Sequence, residues 1–380
     1  MSDPNRTPHE PFDRQKCRTV LAHDWLVGMR GGERVLDRLA QVFGPTTLYT
    51  LVHDSTPHTP AIDASTIVTS ALQRLPGASG RFRRWYLPLM PWAVNHLRVS
   101  KCDLVVSTSS AVMKSIRPPA GALHLCYCHS PARYIWEQGD DYAIGSRGRL
   151  RSAGLRLIRR WFQRWDRRTA DRVTTFIANS QHTSRRIKRC YGRESVVVYP
   201  PVRTEVFTVD PAVQREDWLL VVSALEPYKR VDLVIEAAQR EGWRVRIVGG
   251  GSQEAALRAA APANVEFMGR VNDDALCELY RRARALVFPQ VEDFGIIAVE
   301  AQATGCPVIA LRAGGALETV TAETGVFFDA QTVDALVSAV NEFAGRTFDT
   351  DDIRAHAERF SVDVFDARIR ALVDETRLHA

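Results

Sequence analysis

Apolar residues recur along the chain in two alternating rhythms. From Arg18 to His23 (RTVLAH) they run almost unbroken, as in a strand covered on both faces. A glycine-bearing stretch follows, Asp24-Trp25-Leu26-Val27-Gly28-Met29-Arg30-Gly31-Gly32, and then ERVLDRLAQVF, whose apolar positions return at helical spacing. Strand, glycine loop and helix in that order open a nucleotide-binding α/β fold. The same reading predicts further strands at Thr47–Thr50, Asp103–Ser107, Ala122–Cys128, Thr174–Ala178 and Ser195–Tyr199, and helices at Leu150–Ala170 and Thr183–Tyr191.

The alternation restarts after Pro200-Pro201, whose backbone restriction marks a linker near 200–210. Strands are predicted at Trp218–Ser223, Arg244–Val248, Val265–Phe267, Ala285–Phe288 and Val308–Leu311. Helices are predicted at Val231–Arg240, after Gly251 through Ala259, at Asp273–Ala283 and at Phe294–Ala303. This is the pattern of a doubly wound parallel sheet. The tail from Thr332 onward reads as mostly helical. The expected division is a disordered tail over 1–16, an N-terminal domain over 17–205, a C-terminal domain over 206–350 and C-terminal helices over 351–380. Two similar halves place the expected active site in a cleft between them.

Composition narrows the class. The 380 residues are 45% hydrophobic and 25% charged, as in an ordinary globular protein large enough to bury real cores. The net charge of +6 is unevenly spread: 1–205 carry +16 and 206–380 carry −10, which sum to +6. Arginines cluster at Arg81, Arg83 and Arg84 and again from Arg147 through Arg168. Such a patch fits an anionic membrane surface, nucleic acid or an acidic substrate, and equally a solvated helix face. The seven scattered cysteines are read as buried reduced thiols, with Cys126 and Cys128 on one face of a strand. The polar first sixteen residues lack the apolar core of a signal peptide, and no apolar run approaches the ~20 residues of a membrane span. A cytoplasmic location is expected.

Three clusters can carry chemistry. In Glu292-Asp293-Phe294-Gly295-Ile296-Ile297-Ala298-Val299-Glu300 a predicted strand ends and a helix begins. The unpaired N–H groups of that helix start suit a diphosphate, and Glu300 can accept hydrogen bonds from hydroxyls. Alternatively, Asp293 is an N-cap and Glu300 a solvated carboxylate. In Ser223-Ala224-Leu225-Glu226-Pro227-Tyr228-Lys229-Arg230, two cations sit at a strand-to-helix turn on the same sheet edge, where they either neutralise phosphates or remain solvated. His129, in Tyr127-Cys128-His129-Ser130-Pro131, emerges at a strand end and is either structural or functional. Gly249-Gly250-Gly251 is a generic loop signal. There is no Walker A or HExxH sequence, and Asp349-Thr350-Asp351 reads as a helix cap, not a metal site.

With these residues in view, the chain resembles glycosyltransferase family 4. The frame Glu292-DFGIIAV-Glu300, followed by AQATGCPVIA and AGGALETV, looks like that family's signature. PYKRVD and the opening HDWL…RGGE are similar to a bacterial polysaccharide-assembly, mannosyltransferase-like branch. The resemblance runs from about Thr19 to Phe365. It implies a GT-B fold, two Rossmann-like domains facing across a cleft with the last helices crossing back to the first, retention of anomeric configuration, and no cofactor or metal. Position by position it implies that Glu292 contacts the donor sugar and that Glu300 binds the ribose hydroxyls. Phe294, Gly295 and Ile296 would hold the diphosphate through their backbone, and Lys229 would bind phosphate. His129 would lie beside the transferred sugar, and Gly31 and Gly32 would form the glycine loop near the donor. Where the family often has an arginine this chain has Ala224, and Arg230 is the available substitute.

The expected partners follow from the branch: a nucleotide-diphosphate sugar (GDP-mannose first, or a UDP-hexose) and a lipid-linked or saccharide acceptor at the inner face of the cell membrane. Arg81–Arg84 beside Trp85–Trp92 mixes cations with aromatic residues as interfacial segments do, or else packs inside the first domain. Nucleic acid is not expected. Two other readings remain: a sugar-nucleotide epimerase of the same fold, and a non-catalytic subunit that binds nucleotide-sugar.

Overall fold

The computed structural model describes residues 17–29, 31–54, 56, 58–80, 83–136 and 149–378. The expected tail over 1–16 lies outside these residues, as do Arg81 and Arg147. The chain divides into two compact units, Met1–Val198 with Asp366–Ala380, and Tyr199–Phe365.

The first unit holds seven parallel strands: β1 (Thr19–His23), β2 (Thr47–Thr50), β3 (Thr66–Thr69), β4 (Leu104–Ser109), β5 (Leu123–Cys128), β6 (Thr175–Ala178) and β7 (Ser195–Val197). Their order is β3-β2-β1-β4-β5-β6-β7. β1 pairs with β2 on one side and β4 on the other, so the winding reverses between β1 and β4. All six residues of β4 are buried, which is why its sequence reads as continuous rather than alternating.

The second unit repeats the plan with β8 (Leu219–Val222), β9 (Val245–Val248), β10 (Val265–Gly269), β11 (Ala285–Phe288), β12 (Val308–Leu311) and β13 (Gly325–Phe328). The order β10-β9-β8-β11-β12-β13 is the doubly wound nucleotide-binding arrangement, reversing between β8 and β11. One core lies on each face of this sheet. Phe288, Phe294 and Tyr280 are in one, and Ile235, Ile309 and Phe328 in the other.

The units change at Val198–Tyr199, ahead of the two prolines, because Tyr199, Val202 and Phe207 pack into the second unit's core. The helix Val362–Leu378 starts in the second unit and belongs to the first from Asp366 onward. There Asp366 accepts two hydrogen bonds from the Arg38 guanidinium on the helix Gly31–Phe43, at 2.7 and 2.6 Å. This planar, bidentate pairing is one that lysine could not make.

All seven cysteines are buried and free, and Cys126 and Cys128 share one core cluster on β5, as their spacing predicts. Burial pushes the Cys126 thiol up to about 12. Asp349 caps the helix Thr350–Glu358, accepting from the Asp351 and Asp352 N–H groups at 2.8 and 3.1 Å. Among the described residues, no helix is long and apolar enough to cross a membrane.

Candidate active site

In open α/β sheets, ligands collect at the carboxyl ends of the strands where the winding reverses. In the second unit those ends are the connections after β8 and β11, and both expected clusters lie there. The β8 connection runs through a single turn, Pro227–Lys229, into the helix Val231–Glu241. Arg230 joins the two with φ at +53°, the only non-glycine residue in the left-handed region among those described. Its Nε lies 3.2 Å from both Asp232 carboxylate oxygens, so the guanidinium turns toward the first turn of its own helix. The Lys229 ammonium takes the other direction. It pairs with the Glu292 carboxylate from the β11 connection, and it lies 5.1 Å from the centre of the Tyr228 ring. Both side chains of the pair are mostly buried, at 12% and 22% exposed.

The helix after β11 starts at Ile296, two residues later than the periodicity predicts. Phe294 is not its first residue but a core residue, packed between the Tyr199 and Phe360 rings at 5.6 and 5.5 Å. Gly295, with φ at +93°, is the cap, so Asp293 is not the N-cap. The chain holds this turn from behind. Gly315 donates its N–H to the Glu292 carbonyl at 2.8 Å, and a Cβ on Gly315 would lie 2.4 Å from the Phe294 backbone. No other residue fits there. Gly249 has a similar reason, since its Cβ would fall 1.9 Å from the Ser223 carbonyl oxygen. The Gly249-Gly250-Gly251 run therefore lets two connections touch.

Glu300 is not solvated. It is 3% exposed on the inner face of the Ile296–Ala303 helix, with the Tyr280 hydroxyl 3.5 Å from its carboxylate. A buried carboxylate needs charge and hydrogen-bond partners. Arg203 supplies part of that field. Its hydrogen bond to Asp273, at 2.7 Å, outweighs burial and holds the guanidinium pKa above its ordinary value, with Glu300 contributing to the same field. Neither Arg203 nor Tyr280 carries a sequence signal: one follows a proline linker, the other lies on an ordinary amphipathic helix.

In the first unit, His129 follows β5, and its carbonyl accepts from Asn179 Nδ2 at 3.1 Å. Gly31 and Gly32 are the first turn of the helix Gly31–Phe43 and not a loop before it. A Cβ on Gly32 would lie 3.5 Å from His129 Nε2 and 3.6 Å from the His23 ring, ordinary van der Waals distances, so this helix start packs directly against both imidazoles. His23 contacts the Thr108 hydroxyl at 2.5 Å and lies 3.8 Å from Glu33. Asp24 is fully engaged elsewhere. Its buried carboxylate accepts four backbone N–H bonds, from Ser110, Ala111, Val112 and Met113, at 2.6 to 2.9 Å. It therefore fixes the turn after β4 at the first unit's reversal point. The second unit thus brings together Lys229, Glu292, Phe294, Gly295, Ile296 and Glu300, and the first brings together Gly32 and His129.

Residues 29–206 match a family model described as Glycosyltransferase Family 4, and residues 202–346 match Glycosyl transferases group 1. Together the two matches span residues 29–346, so the chain carries a glycosyltransferase family 4 domain followed by a glycosyltransferase group 1 domain. A relative in Corynebacterium glutamicum, a GDP-mannose-dependent monoacylated alpha-(1-6)-phosphatidylinositol monomannoside mannosyltransferase, is 34% identical over 230 residues, 53% of this chain and 56% of that protein. O-antigen chain mannosyltransferase C of Escherichia coli is 32% identical over 136 residues, 33% of this chain and 37% of that one. The chain thus spans about half the length, or less, of these relatives. Among solved structures, sucrose-phosphate synthase from Thermosynechococcus elongatus matches with a TM-score of 0.70 at 15% identity, covering 96% of this chain and 100% of that one. Anabaena HepE, in complex with UDP and glucose, matches at 0.70 and 17%, covering 94% and 99%. These likenesses establish the fold, GT-B.

Proposed function

We propose that this family 4 glycosyltransferase moves a hexose, mannose from GDP-mannose as the first candidate, onto a lipid-linked or saccharide acceptor with retention of configuration. The observation that carries the reading is the Lys229–Glu292 pair beside the Ile296 helix start, with Glu300 buried on the same helix. Cleaving the bond between the sugar and its diphosphate leaves negative charge on phosphate and positive charge on the ring. Lys229 and the helix N–H groups oppose the first, preorganised and shielded from water, where such charge counts most. Glu292 orients the sugar and faces the positive ring. The acceptor oxygen bonds to the anomeric carbon from the side the diphosphate leaves, and its proton passes to a departing phosphate oxygen. Glu300 holds the ribose hydroxyls, and the position proposed for His129, from the resemblance, is beside the transferred sugar. The C. glutamicum and E. coli relatives, both named mannosyltransferases, support the choice of sugar.

A thermal-shift screen of nucleotide sugars tests this, because a bound donor raises the unfolding midpoint. GDP-mannose should shift it most, and only donor plus acceptor should release GDP. Turnover of donor alone would instead favour an epimerase, and binding without turnover a non-catalytic subunit.

Arg230 is proposed to stand in for the arginine missing at Ala224. Glycine accepts its left-handed backbone, so Arg230→Gly should leave stability within ~1 kcal/mol. Losing a charged hydrogen bond of ~1.5–3 kcal/mol should raise the donor dissociation constant at least about tenfold. Titration calorimetry giving an unchanged constant would remove Arg230 from the site.

The membrane is the proposed second partner. Leu89 and Trp92 are 45% and 51% exposed beside the buried Met90, Pro91, Ala93 and Val94. Trp161 is 52% exposed on the helix Arg149–Thr169, among the exposed Arg160, Arg164, Arg167 and Arg168. Cations around an aromatic anchor suit an anionic lipid surface. Trp92→Ala and Trp161→Ala should each reduce sedimentation with phosphatidylglycerol vesicles. Equal sedimentation of both variants and the parent would remove this surface from the reading.

A further inference from the structure

The connection between β2 and the short helix Pro60–Asp63 holds a cluster that sugar transfer does not use. His53, Asp54 and His58 each offer one ligand atom, and these atoms lie within 4.8 Å of one another. The two imidazole centroids are 5.3 Å apart. The His58 side chain is only 1% exposed, yet both of its ring nitrogens are buried without a hydrogen bond. Buried polar atoms normally have partners, and an exception of this kind asks what is meant to fill it.

Two neighbours frame those nitrogens. Nε2 lies 3.7 Å from the Asp54 carboxylate, and Nδ1 lies 4.0 Å from that of Asp63. A histidine that ligates through one nitrogen and gives its other N–H to a carboxylate is the usual support of a metal site. Asp63 is held in place by the His58 backbone N–H, at 3.2 and 3.3 Å. Ligand atoms around a tetrahedral ion with bonds of ~2.0–2.2 Å sit ~3.3 Å apart, so small side-chain rotations close the present spacing. The main chain beneath is already fixed. The His53 N–H and carbonyl are both bonded to the Gln73 amide, at 2.7 and 2.9 Å, and the Asp54 N–H to the Leu26 carbonyl at 2.8 Å.

We propose that His53, Asp54 and His58 bind one divalent zinc ion, with Asp63 holding the outer N–H of His58 and a water completing the shell. Two imidazoles and one carboxylate suit zinc, whereas magnesium and calcium prefer oxygen-only sets. The ion acts as a clip. Through Leu26 it ties the β2 connection to the segment that leads into Gly31 and Gly32. The donor-site reading does not enter this argument.

The test uses the full chain without an affinity tag, stripped with a chelator, dialysed against zinc sulfate and assayed by elemental mass spectrometry. Wild type should retain one zinc per chain and take up no magnesium. Cobalt in its place should give the intense visible absorption of a tetrahedral site. His58→Ala and His53→Ala should lose both signals. Asp63→Asn should keep the stoichiometry with affinity about 10–100-fold weaker. Should His58→Ala fail to fold, Asp54→Asn and His53→Gln, at more exposed positions, carry the comparison. Wild type without zinc, or zinc retained undiminished in the ligand variants, overturns the proposal.

Discussion

Replacing Glu292 by alanine should cut sugar transfer about 10²–10³-fold while leaving nucleotide binding intact or tighter. The direction of the second effect follows from the pair it forms with Lys229. Without donor, the carboxylate competes with phosphate for that ammonium, so deleting it frees a cation for the diphosphate. Deleting it also removes the group proposed to orient the sugar, and misplacement of a reacting centre is paid for in rate. Lys229→Ala should behave differently. It removes a charged contact of ~1.5–3 kcal/mol, so the dissociation constant for GDP should rise about tenfold or more, together with the loss of rate. Steady-state kinetics and GDP titration on both variants separate the roles. Near-normal turnover by Glu292→Ala, or equal loss of GDP affinity in both, would remove this assignment. Neither side chain belongs to a core cluster, so the fold, read by circular dichroism, should be unchanged.

Much of this site was legible because its parts are local. Strands β8, β11 and β12 are short continuous apolar runs, and the loops after them could be placed by their polar residues alone. The edge strands β3 and β13 were not placed. TIVT and GVFF are four residues each, too short for a period to separate strand from connection. The late start of the Ile296 helix escaped for a different reason. Phe294 fits the helical spacing, but Gly295 takes a left-handed cap and the Phe294 ring goes to the core. What no pattern in one dimension carries is pairing at a distance. Lys229 meets Glu292 across 63 positions, and Arg203 meets Asp273 across 70. Glu300, read along its helix, looks like any surface carboxylate, yet it is buried, with the Tyr280 hydroxyl beside it and Arg203 in the same field.

The same blindness to distance hides the interaction expected to matter most for stability, that of Lys114 with Asp166. Lys114 lies between Met113 and Ser115 in a single turn after β4, and Asp166 sits in the arginine-rich helix Arg149–Thr169, where it reads as one more solvated charge. Both are buried, at 1% and 0% exposed, with the ammonium 2.9 Å from the carboxylate. The ammonium also donates to the Asp166 carbonyl at 2.6 Å and the Thr169 hydroxyl at 3.1 Å, and lies 4.7 Å from the centre of the Tyr191 ring. The other carboxylate oxygen accepts from the Trp136 indole N–H at 2.8 Å. Asp166→Ala strands a cation in this apolar setting and leaves the indole N–H without its acceptor, so the first unit should lose ~3–5 kcal/mol. Lys114→Met leaves the anion behind and should cost a similar amount. The double replacement Lys114→Met with Asp166→Leu removes both charges, and a buried pair exchanged for apolar volume is often near neutral. The orphaned Trp136 N–H adds ~1–3 kcal/mol, so the double variant should be destabilised less than either single one. Urea unfolding followed by tryptophan fluorescence reads all three. A loss below ~1 kcal/mol for Asp166→Ala, or a double variant as weak as the two single losses added together, would mean that the pair does not hold the Arg149–Thr169 helix to the sheet.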